Sequence, residues 1–177
     1  AIIRLGQRGT IAAVDIDMIA LEGAVESLEN HGADIAAIQC DLTKVDDLAR
    51  LAREASRLGQ VNTIVNNAGA AAALTLHQMT AETLSRDLAL NLEAALNCFK
   101  AFEQALISSG AGNVVNIASV NGLSVFGHPA YSAAKAGLIH ATRSIAVEYG
   151  KYGLRSNAVA PGTVKTQAWK IRQAANP

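Results

Sequence analysis

Tyr131 and Lys135, four residues apart in HPAYSAAKAG, are the first residues in this chain whose types and spacing could do chemistry. An i, i+4 pair shares one face of a helix, so the phenol and the ammonium can be neighbours. The pattern suits an ordinary amphipathic helix, and it equally suits a phenol whose acidity is tuned by a cation. Ser119 closes the apolar run NVVNIAS twelve residues earlier, on the same side as the start of that helix. Asp15 closes TIAAVD, where a carboxylate can accept from both hydroxyls of a ribose and would repel a 2′-phosphate. No arginine follows it in DIDMIA, and a helix N-cap is the competing use, which Asp17 could supply equally well. Asp41, in CDLT, could bond an adenine amino group or simply hold a turn.

Two further stretches add amides. NNAG at 66–69 ends an apolar run with two short side chains and a glycine, which lets backbone approach a flat ligand and lets amides tie strand ends together. Asn91 interrupts a leucine-rich helical stripe, where a buried amide must find partners or cost about 1–3 kcal/mol. It could serve a kinked backbone or hold a water. The four histidines, His31, His77, His128 and His140, have no ligand spacing, so no metal is expected.

These residues need elements to position them. TIAAVD (10–15), ADIAAIQCD (33–41), VNTIVNNAG (61–69), GNVVNIAS (112–119) and LRSNAVAPG (154–162) are short apolar runs ending in polar or turn residues, and they predict strands. Helical periods separate them. Val45, Leu48, Leu51, Ala52, Ala55 and Leu58 mark one face, with Thr43 and Asp46 resembling a capping box. Leu84, Leu88, Leu92, Ala95, Phe99, Phe102 and Leu106 mark a long third helix, and Leu138, Thr142 and Ile145 extend the Tyr131–Lys135 stripe to about Tyr149. Tyr149 and Tyr152 are expected to pack, and the alanine-rich AGAAAALTL to be a flexible or close-packed connection. Strand–helix alternation with near-continuous apolar strands predicts an α/β, doubly wound parallel sheet covered on both faces, a Rossmann-like single domain over 1–177. Ligands of such sheets bind beyond the carboxyl ends of the strands, where Asp15, Asp41, Asn66 to Gly69, Ser119 and Pro161-Gly162 all fall.

The composition narrows the function classes. The 177 residues are 50% hydrophobic and 17% charged, with 15 basic and 15 acidic side chains. No basic run offers a nucleic-acid footprint and no apolar run reaches membrane-spanning length. Cys40 and Cys98 fall inside apolar elements, as reduced core thiols would, and a soluble cytoplasmic protein is expected.

Taken in order, a strand-end Asp, Asp-Leu, NNAG, a mid-helix Asn, Ser, YSAAK and PGTVKT resemble the short-chain dehydrogenase/reductase family from about Ala1 to Thr166. The resemblance implies an NAD(P)-dependent oxidoreductase that interconverts a secondary alcohol and a ketone by hydride transfer. It implies Tyr131 as general acid/base, Ser119 as the donor to the reacting oxygen, Lys135 as the cation that favours the phenolate and binds the nicotinamide ribose, and Asn91 as the holder of a relay water. A free phenol titrates near 10, so basic action at neutral pH asks for roughly 4 kcal/mol of preferential phenolate stabilisation. Asp15 would grip the adenosine ribose, Asp41 and Leu42 would flank the adenine, and Asn67, Ala68 and Gly69 would line the cofactor's path. Pro161, Gly162, Val164 and Thr166 would meet its carboxamide and phosphates. The expected cofactor is NAD, with NADP disfavoured by Asp15. The expected partners are a small alcohol or carbonyl substrate and further copies of the chain in a homodimer or homotetramer, with no nucleic acid or membrane.

Departures from the family pattern leave alternatives. The glycine-rich turn that seats the pyrophosphate is absent, residues 1–9 resemble the back half of the helix after it, and the final strands are missing, so both ends are expected to be incomplete. The Ser119-to-Tyr131 interval is one residue shorter than the usual one. An NADPH-dependent carbonyl or 3-oxoacyl-thioester reductase is the second reading, and a non-catalytic or truncated family member the third. Leu123, Val125, Phe126 and His128 are candidates to line a substrate pocket or simply to pack.

Overall fold

The computed structural model describes residues 9–164. Each expected strand run contains one strand: β1 (Ile11–Asp15), β2 (Ile35–Gln39), β3 (Thr63–Asn66), β4 (Asn113–Ile117) and β5 (Arg155–Val159). Between them lie helices α1 (Met18–Glu29), α2 (Val45–Leu58), α3 (Ala81–Leu88), α4 (Ala94–Ser108) and α5 (Pro129–Tyr149). All strand pairs are parallel, in a two-stranded sheet β1-β2 and a three-stranded sheet β3-β4-β5. Register runs from Asp15 opposite Gln39 in one sheet to Asn66 opposite Asn116 and Ile117 opposite Val159 in the other. The carboxyl ends within each sheet therefore lie side by side.

One core joins the sheets. Ile38 and Cys40 meet Leu48 and Leu51 of α2, Phe99, Phe102 and Leu106 of α4, and Ile64, Val114, Ile145 and Leu154. Burying each such aliphatic or aromatic side chain stabilises by about 1.5–3 kcal/mol. Leu48, Leu51 and Ala55 face inward as the period predicts, whereas Val45 and Leu58 at the ends of α2 stay exposed. Helix α1 packs on β1 and β2, while α2, α4 and α5 share the core with Ile64 and Val114. Among the described residues the opposite face of β3, bearing Val65, is open, so cover on both faces is not seen there.

Two local expectations fail. The Thr43–Asp46 capping box does not form, because the Thr43 hydroxyl and N–H both donate to Asp41 Oδ1, at 2.6 and 3.0 Å. Helix α2 begins with Lys44 as an N-cap that has no side-chain bond, and the Asp47 carboxylate reaches back to Asp41 N–H at 2.9 Å. A capping box does open α3, from Thr80 and Thr83. The long leucine-rich helix is also not continuous. A π-turn at Ala89–Glu93 separates α3 from α4, and Ala94 N–H donates to the Ala89 carbonyl five residues back. The extra residue turns the inward face, so Asp87 and Asn91 are buried while Leu84, Leu88 and Leu92 are half-buried. A count of apolar period does not register an inserted residue whose polar neighbours are satisfied by an adjoining loop.

The expectations for Tyr149 and the two thiols hold. The Tyr149 ring stands edge-on to Phe99 at 4.9 Å, and its hydroxyl donates to Glu103 at 2.7 Å. Cys40 and Cys98 are free and buried, and burial pushes the Cys98 thiol up to about 12. No helix among the described residues is long and apolar enough to cross a membrane.

Candidate active site

Helix α5 carries the opening pair. Pro129 starts it at a position where no backbone N–H is needed, and Ala130, Ala134, Lys135, Leu138, Thr142 and Ile145 line its buried face. Tyr131 lies half-buried one turn before Lys135. The Lys135 side chain is buried, donates from Nζ to the Ile117 carbonyl at the end of β4 at 2.7 Å, and stands 5.6 Å from the centre of the Tyr131 ring. Loss of hydration on burial pushes its ammonium down to about 8. The short turn Val120–Gly122 presses against this helix so closely that a Cβ on Gly122 would lie 2.8 Å from the Lys135 carbonyl carbon.

Asn91 faces the pair from the π-turn. Its Nδ2 donates to the Ala70 carbonyl at 2.7 Å and to the Asp87 carbonyl at 2.9 Å. Both partners are acceptors, which fixes the amide's orientation and sends Oδ1 the other way. That oxygen is buried and has no hydrogen-bond partner among the described residues. A Cβ on Gly69 would come within 2.6 Å of it and 3.3 Å of Lys135 Nζ, so only glycine fits between them. Gly69, Asn91, Tyr131 and Lys135 thus converge at one place.

Ser119 lies at the carboxyl end of β4, two residues after Ile117. Its buried hydroxyl accepts from Asn121 N–H at 3.2 Å and donates to Asn121 Oδ1 at 3.3 Å, capping the turn that follows. His128 joins this loop to the connection after β3. Its N–H donates to the Leu74 carbonyl at 2.8 Å, its Nδ1 lies 3.1 Å from the Ala73 carbonyl, and its ring stands edge-on to Tyr131 at 6.4 Å. At φ 53° it is the single non-glycine residue in the left-handed region among those described, a conformation that costs energy and persists when its surroundings hold it.

Several contributors were not singled out in the sequence. Asp87 is buried, and both its carboxylate oxygens accept from Ala72 N–H, at 3.1 and 3.3 Å. It precedes Asn91 by one helical turn, a spacing that could have revealed it. The alanine-rich connection is exposed along most of its length, with Ala73 buried, and its backbone supplies partners to Asp87, Asn91 and His128. Asn66 donates to Asn116 Oδ1 at 2.8 Å, Asn116 to Thr142 Oγ1 at 2.9 Å, and Thr142 to the Leu138 carbonyl at 2.7 Å. The amide of Asn66 therefore ties strand ends as NNAG suggested. Asn116, a polar residue inside NVVNI, was the missed signal.

Two of the remaining candidates belong to the other sheet. Asp15 and Asp41 stand at the ends of β1 and β2. Asp15 is exposed, and Oδ1 accepts from Asp17 N–H at 3.0 Å. Asp17 takes the helix cap, accepting from Ala20 N–H at 3.1 Å, which leaves Asp15 available. The Thr43 hydroxyl and N–H hold the Asp41 carboxyl below the usual carboxylate range. Leu42 is half-buried against the core. Asn67 and Ala68 are exposed after β3, and the Pro161 carbonyl accepts from Val120 N–H at 3.1 Å. Gly162 and Val164 are exposed, and Thr166 lies outside the described residues. Among the described residues no group of three potential metal ligands occurs.

A strand-end serine, a Tyr–Lys helix pair and a buried asparagine on parallel α/β architecture coincide with a match of the short chain dehydrogenase family model to residues 3–176. The chain belongs to the short-chain dehydrogenase family. An oxidoreductase of this family from Burkholderia thailandensis has a similar structure, with a TM-score of 0.83 and 41% identity over 93% of this chain and 63% of that one. An NAD⁺-bound xylitol dehydrogenase matches with a TM-score of 0.90 and 27% identity over 96% of this chain and 67% of that one. An uncharacterized oxidoreductase of Schizosaccharomyces pombe is 37% identical over 143 residues, 80% of this chain and 55% of that protein. The chain spans 55 to 71% of the length of the curated relatives it matches.

Proposed function

We propose that this short-chain dehydrogenase interconverts a secondary alcohol and a ketone with NAD, using Tyr131 as general acid/base. The observation that carries the reading is the buried Lys135 ammonium, held by the Ile117 carbonyl 5.6 Å from the centre of the Tyr131 ring, and near it Asn91 Oδ1, buried with no partner among the described residues. A buried cation and a buried open acceptor are costly for stability alone, and such groups concentrate at functional sites.

The residues present fit both ends of a nicotinamide dinucleotide. Asp15, exposed at the end of β1, suits a ribose with free hydroxyls and disfavours a 2′-phosphate, which supports NAD over NADP. Gly69 allows close backbone approach beside Lys135, where Tyr131 and Lys135 would hold the second ribose. Asn67, Ala68, Pro161, Gly162, Val164 and Thr166 would line the path between, and Asp41 and Leu42 would flank the adenine. A bound nicotinamide would supply the acceptor for the hydride, one hydrogen nucleus with two electrons, that leaves the carbinol carbon. Tyr131 receives the hydroxyl proton as the C–O bond becomes a carbonyl. Ser119 releases Asn121 Oδ1 and donates to the reacting oxygen. Lys135 stabilises the phenolate form of Tyr131 that takes this proton, and Asn91 Oδ1 accepts from a water that passes the proton onward. A homodimer or homotetramer in the cytoplasm, with Cys40 and Cys98 reduced, completes the reading, and sedimentation velocity checks the assembly.

The test is NADH formation from secondary alcohols by the protein and its Tyr131→Phe variant. The expected outcome is NAD-dependent turnover that falls about 10²–10⁴-fold in Y131F, while calorimetric NAD binding changes far less. Undiminished turnover by Y131F removes the assigned base, and faster turnover with NADP reverses the cofactor assignment.

A further inference from the structure

Two pieces of chain wall a cleft of about 520 Å³. Leu74 and Leu76 come from the connection after β3, and Leu123 and Val125 from the loop between β4 and α5. Their exposures of 50, 71, 64 and 96% are far above what an aliphatic side chain in a settled core shows. Among the described residues, no side chain lining the cleft is charged. Its polar members are mostly engaged with their own wall. Asn121 Nδ2 and Ser132 Oγ both donate to the Gly127 carbonyl, at 3.2 and 2.8 Å, and Thr75 Oγ1 accepts from Gln78 N–H at 3.3 Å.

Two lining residues link the cleft to the reacting groups. Asn121 is the residue bonded to Ser119, and Ser132 directly follows Tyr131. Its width is set by the His128 bonds to Ala73 and Leu74. Gly127 sits at φ 77° where a Cβ would lie 3.1 Å from the Leu74 carbonyl, so the two walls meet backbone to backbone. Gln78 Oε1 accepts from the N–H groups of Leu74 and Thr75, both at 3.2 Å, and secures the other wall.

We infer that this cleft receives the hydrocarbon chain of the substrate, and that the preferred substrates are uncharged secondary alcohols or methyl ketones with an apolar chain. The inference rests on the oxidoreductase reading above. A polyol would set hydroxyls against leucine and valine, and among the described residues an anion would meet no lining cation. Each methylene that enters the cleft is worth about fourfold in kcat/KM, the equivalent of ~0.8 kcal/mol per buried CH₂.

The experiment measures kcat/KM with NAD for propan-2-ol, butan-2-ol, hexan-2-ol and octan-2-ol, with xylitol and 3-hydroxybutyrate as polar and anionic comparators. In parallel, binding of octan-2-one is followed by ligand-observed NMR on the wild type and on Val125→Lys. The expected result is a climb of about fourfold per methylene over the first carbons, xylitol and 3-hydroxybutyrate at least tenfold below octan-2-ol, and weaker octan-2-one binding to V125K. Turnover with a flat chain-length series, or with xylitol or 3-hydroxybutyrate preferred, overturns the cleft assignment and leaves the oxidoreductase reading standing. Absence of turnover with every alcohol removes that reading, and octan-2-one binding then decides the cleft by itself. No binding overturns the inference, and V125K altering the sedimentation coefficient without altering octan-2-one binding overturns it by making the wall a contact between copies of the chain.

Discussion

At the carboxyl end of the three-stranded sheet, polar groups are buried and tied across long stretches of sequence. Asn66 reaches Asn116 fifty residues on, Lys135 reaches Ile117 across eighteen, and Asn91 reaches Ala70 across twenty-one. At the carboxyl end of the two-stranded sheet, the Asp15 and Asp41 side chains accept bonds from residues two positions along the chain. The first arrangement holds atoms from three elements in fixed relation, which a proton transfer between a phenol and a substrate oxygen demands. The second displays carboxylates on local turns, which is enough to choose a ligand by its charge. Precision is concentrated where bonds would be made and broken, and selectivity by charge where they would not.

The buried ammonium gives the sharpest way to break this contrast. Lys135 has a folded pKa of about 8, below its ordinary 10.5. Below pH 8 both folded and unfolded chains carry the charge, and the native state bears the full cost of burying it. Between 8 and 10.5 the folded protein gives up that proton while the unfolded chain keeps it, so this group makes stability rise with pH. Lys135→Met should remove the rise, a difference of about 2 kcal/mol between pH 7 and 9.5. Cys40 and Cys98, whose thiols burial pushes up, and Tyr149, raised by the Glu103 carboxylate, act in the opposite direction at the alkaline end. The readout is therefore the wild-type minus K135M difference in urea unfolding at the two pH values. A difference that does not change with pH would mean the ammonium is hydrated, and this end of the sheet would be no tighter than the other.

A smaller effect is expected from the amide chain. Asn116→Ala leaves Thr142 without its donor and Asn66 without its acceptor, at a cost of about 1.5–2 kcal/mol in urea unfolding. A loss within measurement error would show the two strands and α5 held by apolar packing alone. The smallest effect lies at the other sheet. Asp15→Ala should leave the unfolding midpoint where it is and weaken NAD binding about tenfold by calorimetry, close to 1.4 kcal/mol, while lessening the discrimination against NADP. Unchanged NAD affinity would deprive that carboxylate of its assigned role.

The alternation of strands and helices was legible because near-continuous apolar runs and helical stripes are local patterns, and their periods survive folding. So was the Tyr131–Lys135 pair, whose neighbourhood is a property of helix geometry alone. The order of Asp15, NNAG, Asn91, Ser119 and YSAAK sufficed for the family. What one dimension could not supply was partnership. The leucine stripe over 84–106 concealed a π-turn, since an inserted residue changes which face is inward without changing which residues are apolar. Thr43 beside Asp46 looked like a cap until Asp41, two residues back, claimed its hydroxyl. Asp87, Asn116 and the alanine backbone at 70–74 acquired meaning through bonds to segments far away in the chain. That Gly69 must be glycine, and that Asn91 Oδ1 is left open beside Lys135, follows only once three elements are packed, because close approach is a fact about distances between segments and not about the residues along any one of them.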